Sequence, residues 1–112
     1  MRFRTNCRPR QPKTGPNKTE EAYGYHIANH PDVLMVGFER IKLKLADKTF
    51  YTPDFYVLKK DGQLEMHEVK GFMRDDAAVK LKVAAAQFPF IKFFLIKKDK
   101  NRWDIREVEN VY

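Results

Sequence analysis

The chain has 112 residues, 43% of them hydrophobic, which suits one folded domain with a single core. Lys and Arg outnumber Asp and Glu by 22 to 15, and the net charge of +7 is typical of a nucleic-acid partner or of a protein kept soluble by like charges. One cysteine and three histidines exclude an internal disulfide and a Cys/His zinc cluster. With no apolar run long enough to cross a bilayer, we expect a cytoplasmic protein without a membrane partner.

Residues 1–16 are predicted to form a basic, flexible N-terminal arm. This segment contains four arginines and one lysine, no acid, and several prolines. Arg8 and Arg10 are candidates for phosphate contacts, and a solvated tail without a role is the alternative. Residues 17–112 are predicted to form a single domain.

A helix is predicted from Asn17 to about residue 30. Asn17 and Glu20 have the spacing of a capping box, and Pro31 follows the predicted end. At 100° per residue, Glu20 lies within about 60° of the stripe that contains Tyr23 and Ile27, whereas Glu21 points away from it. Glu20 is therefore the acid of this helix that we expect to face the body of the protein.

Three antiparallel strands are predicted next, as a meander. Apolar residues alternate with lysines at 41–45, aromatic and β-branched residues fill 50–58, and the Asp-Gly pair of "KKDG" predicts a hairpin into a third strand at 63–70.

A second helix is predicted at 75–88, followed by strands at 91–97 and 103–108. This helix is apolar on two sides, which predicts the sheet as one partner and either the first helix or a second subunit as the other. The predicted order is αβββαββ, an α/β fold.

The alternation of side chains along the strands brings three ionisable groups together. Glu68 and Lys70 share one face of the third strand, while His67 lies on the opposite face. Because the hairpin makes the second and third strands neighbours, Asp54 is expected to approach Glu68 and Lys70 at the far end of the hairpin.

Two carboxylates held close together repel each other unless a cation joins them, which favours a hard divalent ion such as Mg²⁺. This ion accepts one or two carboxylates and binds phosphate oxygens in its remaining positions. A neighbouring lysine can orient or help deprotonate the attacking water and neutralise developing charge. The pattern predicts phosphodiester hydrolysis, with Glu20 as a further carboxylate for a second ion or a bridging water.

These residues resemble a known family. Pro53-Asp54 followed by Glu68-Val69-Lys70 resembles the PD-(D/E)XK nuclease superfamily, whose restriction-endonuclease-like αβββαβ core has a mixed central sheet flanked by helices. More narrowly, "NKTEEAY", "YTPDF" and "HEVKG" resemble small phage-encoded endonucleases, some of them similar to Holliday junction resolvases. The resemblance runs from about residue 17 to residue 97.

The resemblance implies a role for each matching residue. Asp54 and Glu68 would ligate Mg²⁺, for which Mn²⁺ would substitute, and the backbone carbonyl of Val69 would be an extra ligand. Lys70 would act on the attacking water, and Glu20 would be the acid supplied by the helix. The products would carry 5′-phosphate and 3′-hydroxyl ends, and a phage-encoded enzyme would act in the host cytoplasm.

The expected partner is DNA, although these residues do not distinguish DNA from RNA. Arg74, Lys80 and Lys82 are candidates for phosphate contacts near the site, against a solvated helix flank as the alternative. A homodimer would suit cuts on two strands. The competing functional interpretations are a non-catalytic nucleic-acid-binding module and a phage structural or replication accessory protein.

Overall fold

The computed structural model of the protein describes residues 15–70 and 75–108, with the side chains of the second range described from residue 79 onward. The described residues form two helices and seven strands. In chain order these are α1 (Lys18–Ala28), β1 (Val33–Phe38), β2 (Leu43–Ala46), β3 (Thr49–Tyr51), β4 (Phe55–Lys59), β5 (Leu64–Lys70), α2 (Asp75–Gln87), β6 (Lys92–Asp99) and β7 (Arg102–Val108).

Five strands form one mixed sheet in the order β1-β4-β5-β6-β7. The pairing of β5 with β6 is parallel, and α2 forms the crossover between these two strands; the other three pairings are antiparallel. The succession α1, β1, β4, β5, α2, β6 reproduces the predicted αβββαβ core. The α/β fold class with a mixed sheet flanked by helices is thereby confirmed.

The first strand of the meander is β1, and the prediction of residues 41–45 for that position was wrong. Residues 43–46 pair instead with β3, as a separate two-stranded hairpin inserted between β1 and β4. The alternation at 41–45 correctly indicated one buried face, since Leu43 and Leu45 are buried between exposed lysines. Alternation does not say which sheet a strand joins, and the run "VLMVGF" of β1 does not alternate.

The predicted strand at 50–58 is two strands in two different sheets. Residues 52–54 interrupt it, and Pro53 within this break is buried. Proline has no N–H to donate, so backbone pairing stops here and the chain passes from the hairpin into the main sheet. Tyr51 and Phe55 consequently do not share one face of a continuous strand.

Two apolar clusters cover opposite faces of the main sheet. The cluster under α1 contains Tyr23, Ile27, Val33, Phe55, Val57, Val69 and Ile96, all buried. The cluster under α2 and the β2–β3 hairpin contains Leu43, Leu45, Tyr51, Met66, Leu81, Ala84, Ala85, Ile91 and Phe93. Because the helices lie on opposite faces, α1 is not the second partner predicted for α2, and Val79 of α2 is 58% exposed.

The start of α1 follows the prediction from its sequence. Asn17 accepts a hydrogen bond from the backbone N–H of Glu20, and the Glu20 carboxylate accepts one from the backbone N–H of Asn17. Glu20 is buried and Glu21 is exposed, as the helical stripe predicted. The helix ends at Ala28, two residues before the predicted end. Across the described ranges, neither helix has the length and apolarity needed to span a membrane.

Candidate metal centre

Asp54 and Glu68 lie together at the end of the β4–β5 pair that is remote from the connecting turn. Asp54 precedes the first residue of β4, and Glu68 lies near the end of β5. The backbone N of Asp54 is 3.4 Å from Oε1 of Glu68, and Oδ2 of Asp54 accepts a hydrogen bond of 2.8 Å from the backbone N–H of Val69. The structure thus brings the two acids together, as the strand parity predicted.

Burial raises the pKa of both carboxyl groups. Burial, and next the negative charge of Glu68, raise the pKa of Asp54 from 3.8 to about 8, although the Val69 N–H opposes the shift. Burial also raises the pKa of Glu68, against hydrogen bonds from Tyr51 and from the Asp54 backbone that favour its charged form. The charged forms of both acids are thus disfavoured in the metal-free protein. A bound cation would stabilise these charged forms.

Tyr51 is a site residue that the sequence did not reveal. Its hydroxyl donates a 2.6 Å hydrogen bond to Oε1 of Glu68, and burial beside that acid raises the pKa of the hydroxyl, which therefore stays a donor. A continuous strand at 50–58 would have placed Tyr51 on the face opposite Asp54. The break at 52–54 places it on the face of Glu68 instead, and the Pro53 of "YTPDF" was the available signal for that break.

Two further acids contribute negative potential to the site. Glu20 and Glu39 each raise the pKa of both Asp54 and Glu68. Glu39 follows β1, and its backbone N–H donates a 2.8 Å hydrogen bond to the carbonyl of Asp54, so the pairing of β1 with β4 sets its position. Glu39 was not predicted because β1 was not predicted. Glu20 also has a structural role, because its Oε1 accepts the hydrogen bond from the Asn17 backbone N–H that completes the capping box of α1.

Lys70 and the Val69 carbonyl lie beside this pair on β5. Lys70 is half-buried and shares the face of Glu68, two positions along the strand. The Val69 N–H points toward Asp54, and the N–H and carbonyl of one strand residue leave the strand on the same side, so the Val69 carbonyl lies at the edge that adjoins Asp54. Both remain candidates for the roles that the resemblance implies.

The predicted phosphate contacts are only partly described. Lys80 of α2 is half-buried and Lys82 is exposed, with no ion pair from either to a described acid. Arg8, Arg10 and Arg74 lie outside the described residues, as does most of the predicted arm at 1–16.

The oxygen donors at this site suit a magnesium ion, although the protein side chains alone would not complete its coordination shell. Within residues 15–70 and 79–108, no three His, Cys, Asp or Glu side chains have the spacing of a metal cage. Mg²⁺ needs only one or two carboxylates and takes waters or phosphate oxygens in its other positions. Asp54 and Glu68 supply two hard oxygen ligands, and the repulsion between them is the term that a divalent cation would remove.

His67, next to Glu68 in sequence, belongs to the opposite face, as predicted. It is buried, and its Nδ1 lies 2.6 Å from the Tyr23 hydroxyl while its Nε2 lies 2.9 Å from Oε1 of Glu65. A carboxylate only accepts, so Nε2 carries the proton and the Tyr23 hydroxyl donates to Nδ1. Burial raises the pKa of Tyr23, which keeps this donor protonated. This hydrogen-bond network joins α1 to β5 on the face of the sheet that α1 covers.

Residues 30–103 match the model of a family described as "Protein of unknown function (DUF1064)". The chain belongs to this family. The DUF1064 match includes Asp54, Glu68 and Lys70 and begins ten residues after Glu20, so the pair of acids and the lysine lie within the DUF1064 region and the helical acid lies outside it. Searches of the curated proteins and of the solved structures each gave no match.

Proposed function

We propose that this protein is a metal-dependent endodeoxyribonuclease of the PD-(D/E)XK type. The observation that carries the proposal is the pair formed by buried Asp54 and half-buried Glu68, in which burial, and next the charge of Glu68, raise the pKa of Asp54 to about 8. A purely structural role for these two acids is costly, because the hydrogen bonds that they accept from Val69 and Tyr51 only partly offset the effect of burial on their charged forms. A divalent cation gives the arrangement a physical reason.

The substrate class follows from the charge of the chain. The net charge of +7 favours a polyanion, and Mg²⁺ held by two carboxylates retains positions for phosphate oxygens. A cleavage site with four acids nearby needs that positive charge elsewhere on the surface to attract DNA. We further propose a cytoplasmic location, where intracellular DNA is the substrate, with branched DNA as the preferred form.

In this proposal Asp54 and Glu68 hold Mg²⁺, which supplies Lewis-acid activation of a water and of the scissile phosphate when bound. Tyr51 keeps the Glu68 carboxylate oriented by donating to Oε1. Lys70, on the same face of β5 as Glu68, stabilises the charge that develops on the phosphate and assists deprotonation of the attacking water. Hydroxide formed from the attacking water would add to phosphorus, the P–O3′ bond would break and O3′ would take up a proton from solvent, so that the products carry 5′-phosphate and 3′-hydroxyl ends.

Cleavage assays with matched variants test the proposal. Supercoiled plasmid, linear duplex and a four-way DNA junction are incubated with the protein and Mg²⁺ or Mn²⁺. Asp54→Asn and Lys70→Ala should each lower the cleavage rate by about a hundredfold or more. Asp32→Asn, just before β1, and Lys60→Ala, in the turn between β4 and β5, each alter one exposed charge at the far end of the sheet and should retain the rate. Ligation of the product by a ligase that requires a 5′-phosphate checks the polarity of the cut.

DNA binding without cleavage of any substrate by the wild type, at either metal and from pH 6 to about 9, would favour the non-catalytic binding module. Cleavage that survives in both Asp54→Asn and Lys70→Ala would show that the activity arises elsewhere or from a contaminant.

A further inference from the structure

The β2–β3 hairpin presents a row of lysines on the surface that faces away from the protein. Lys42, Lys44 and Lys48 are all exposed on or beside this hairpin. Lys44 is paired across the hairpin with Phe50, whose ring is 39% exposed, and the Lys42 ammonium lies 4.6 Å from the centroid of that ring. We call these three lysines and Phe50 the hairpin lysine face.

The opposite side of the hairpin is packed against the body of the protein. Leu43, Leu45 and Tyr51 are buried in the cluster under α2. Gln87 of α2 donates a 2.8 Å hydrogen bond to the carbonyl of Leu45. Because side chains alternate, burial of these residues directs their sequence neighbours Lys44 and Phe50 outward. Lys44 thus lies on a strand whose other side is packed, Lys42 directly precedes this strand, and Lys48 lies in the turn that follows it.

The hairpin is joined directly to the candidate metal centre. Tyr51, the last residue of β3, donates its hydroxyl to Glu68, and Phe50 precedes it with its ring on the outer face. If one phosphate of a polyanion is bound at the two acids, the neighbouring part of the polyanion would pass over the surface next to the hairpin. Phe50 holds Lys42 in place through a cation–π contact, which lowers the entropy lost when that lysine binds.

The charge of this face determines the kind of partner. Lys42, Lys44 and Lys48 supply three positive charges, against the one acid of the hairpin, Asp47. The acids of the metal centre repel a phosphate backbone, so a nuclease of this design needs cations beside them to bind its substrate. Lysines suit a phosphate chain, to which they bind as point charges without reading the base sequence.

We propose that the hairpin lysine face is the surface that holds the DNA backbone next to the cleavage site. The inference rests on the proposed function for the location of the scissile phosphate. The binding itself does not depend on catalysis. Each lysine that contacts a phosphate releases about one counterion, so binding through this face weakens steeply as salt is raised.

The test compares two double variants of equal charge in an Asp54→Asn background. Lys42→Ala with Lys44→Ala removes the two charges of the hairpin lysine face that lie nearest Tyr51. Lys60→Ala with Lys92→Ala removes two exposed charges at the other end of the sheet, where the β4–β5 turn and the start of β6 lie. Binding of a short fluorescein-labelled DNA duplex and of a labelled four-way junction is measured by fluorescence anisotropy in EDTA across a range of salt concentrations.

The hairpin variant should bind DNA with a Kd that is higher by about tenfold or more at 0.1 M salt. The plot of the logarithm of the association constant against the logarithm of the salt concentration should become less steep by about 1.8, at about 0.9 for each lysine. The control variant should leave the slope within about 0.3 of the background. Equal slopes for both double variants, or an unchanged Kd in the hairpin variant, would overturn the proposal. Far-ultraviolet circular dichroism and thermal unfolding verify that each variant is folded.

The two proposals fail in distinguishable ways. If the hairpin variant binds DNA weakly while the wild type does not cut DNA under any condition, the surface is a binding site and the nuclease is wrong. If the wild type cuts DNA in a manner dependent on Asp54 while the hairpin variant binds normally, the nuclease stands and this surface is not its DNA-binding face.

Discussion

The backbone N–H of Val69 donates a 2.8 Å hydrogen bond to Oδ2 of Asp54, which ties the first acid to the strand that carries the second. The register of β4 and β5 would place Pro53 opposite Val69, but the ladder ends at the pair Phe55 and His67. The Asp54 side chain satisfies the N–H that would otherwise lose its partner. The break at Pro53 therefore ends a strand and positions a carboxylate in one step.

Replacement of Asp54 by Asn should stabilise the metal-free protein while removing its activity. The uncharged amide keeps an oxygen to accept from Val69 and ends the repulsion with Glu68, so we expect the free energy of unfolding at pH 8 to rise by about 1–2 kcal/mol. Urea unfolding in EDTA measures this change. Asp32→Asn, at an exposed acid just before β1, should change the free energy by less than about 0.5 kcal/mol. A destabilised Asp54→Asn protein would contradict the repulsion that we infer.

The metal-free wild type should become less stable as the pH rises. The pKa of Asp54 is raised to about 8 in the folded state from 3.8, so between these values the folded protein binds more protons than the unfolded chain. Its contribution to stability is present below pH 4 and is lost as the pH rises through about 8. Thermal unfolding in EDTA at a series of pH values measures the decline, which should be smaller in Asp54→Asn.

Mg²⁺ should reverse this trend, because the ion binds the ionised acids and competes with their protons. The stabilisation by a fixed Mg²⁺ concentration is expected to grow from pH 6 to about 8 and then level off. The difference in melting temperature with and without Mg²⁺ at each pH gives this dependence. Stabilisation by Mg²⁺ that is independent of pH would place the ion away from Asp54.

Removal of the Tyr51 hydroxyl should weaken the metal centre without dismantling it. In Tyr51→Phe the Glu68 carboxylate loses the donor to Oε1, so its pKa should rise further and Mg²⁺ should bind more weakly at pH 7. We expect a stability cost of about 1 kcal/mol and a loss of Mg²⁺ affinity of severalfold, measured by isothermal titration. Tyr56→Phe, in a tyrosine packed against the same apolar cluster, is the matched control. Unchanged Mg²⁺ affinity in Tyr51→Phe would remove this residue from the site.

Removal of the Tyr23 hydroxyl should affect stability alone. Tyr23→Phe leaves Nδ1 of buried His67 without its donor, which should cost about 1–3 kcal/mol in urea unfolding. Tyr25→Phe, on the same helix but 67% exposed, should cost almost nothing. The cleavage rate at a temperature where both variants are folded should stay within about twofold of the wild type. A rate that falls without a loss of stability would connect this network to catalysis.

Local patterns were sufficient to predict much of the secondary structure. The capping box of Asn17 and Glu20, the hairpin at Asp61 and Gly62, and the separation of Glu68 from His67 depend on residues within one helical turn or one strand. Short-range geometry of this kind repeats every 3.6 or 2 residues, so it can be read without knowledge of partners. The same reasoning predicted that Asp54 would approach Glu68, because one tight hairpin joins their strands.

The strand β1, the inserted hairpin and the contacts of Tyr51 and Glu39 required the tertiary structure. The run at Val33–Phe38 carries no alternation, and the alternating segment at 41–45 gives no information about its partner. Strand pairing between distant segments depends on which apolar surfaces are buried together, and this is a property of the whole chain. The raised pKa of Asp54 likewise comes from burial and from acids on three other segments of the chain, Glu20, Glu39 and Glu68, which meet only in the folded protein. The sequence by itself determined which residues are candidates for a metal centre, and the fold decided that Asp54 and Glu68 would lie close together and largely removed from water.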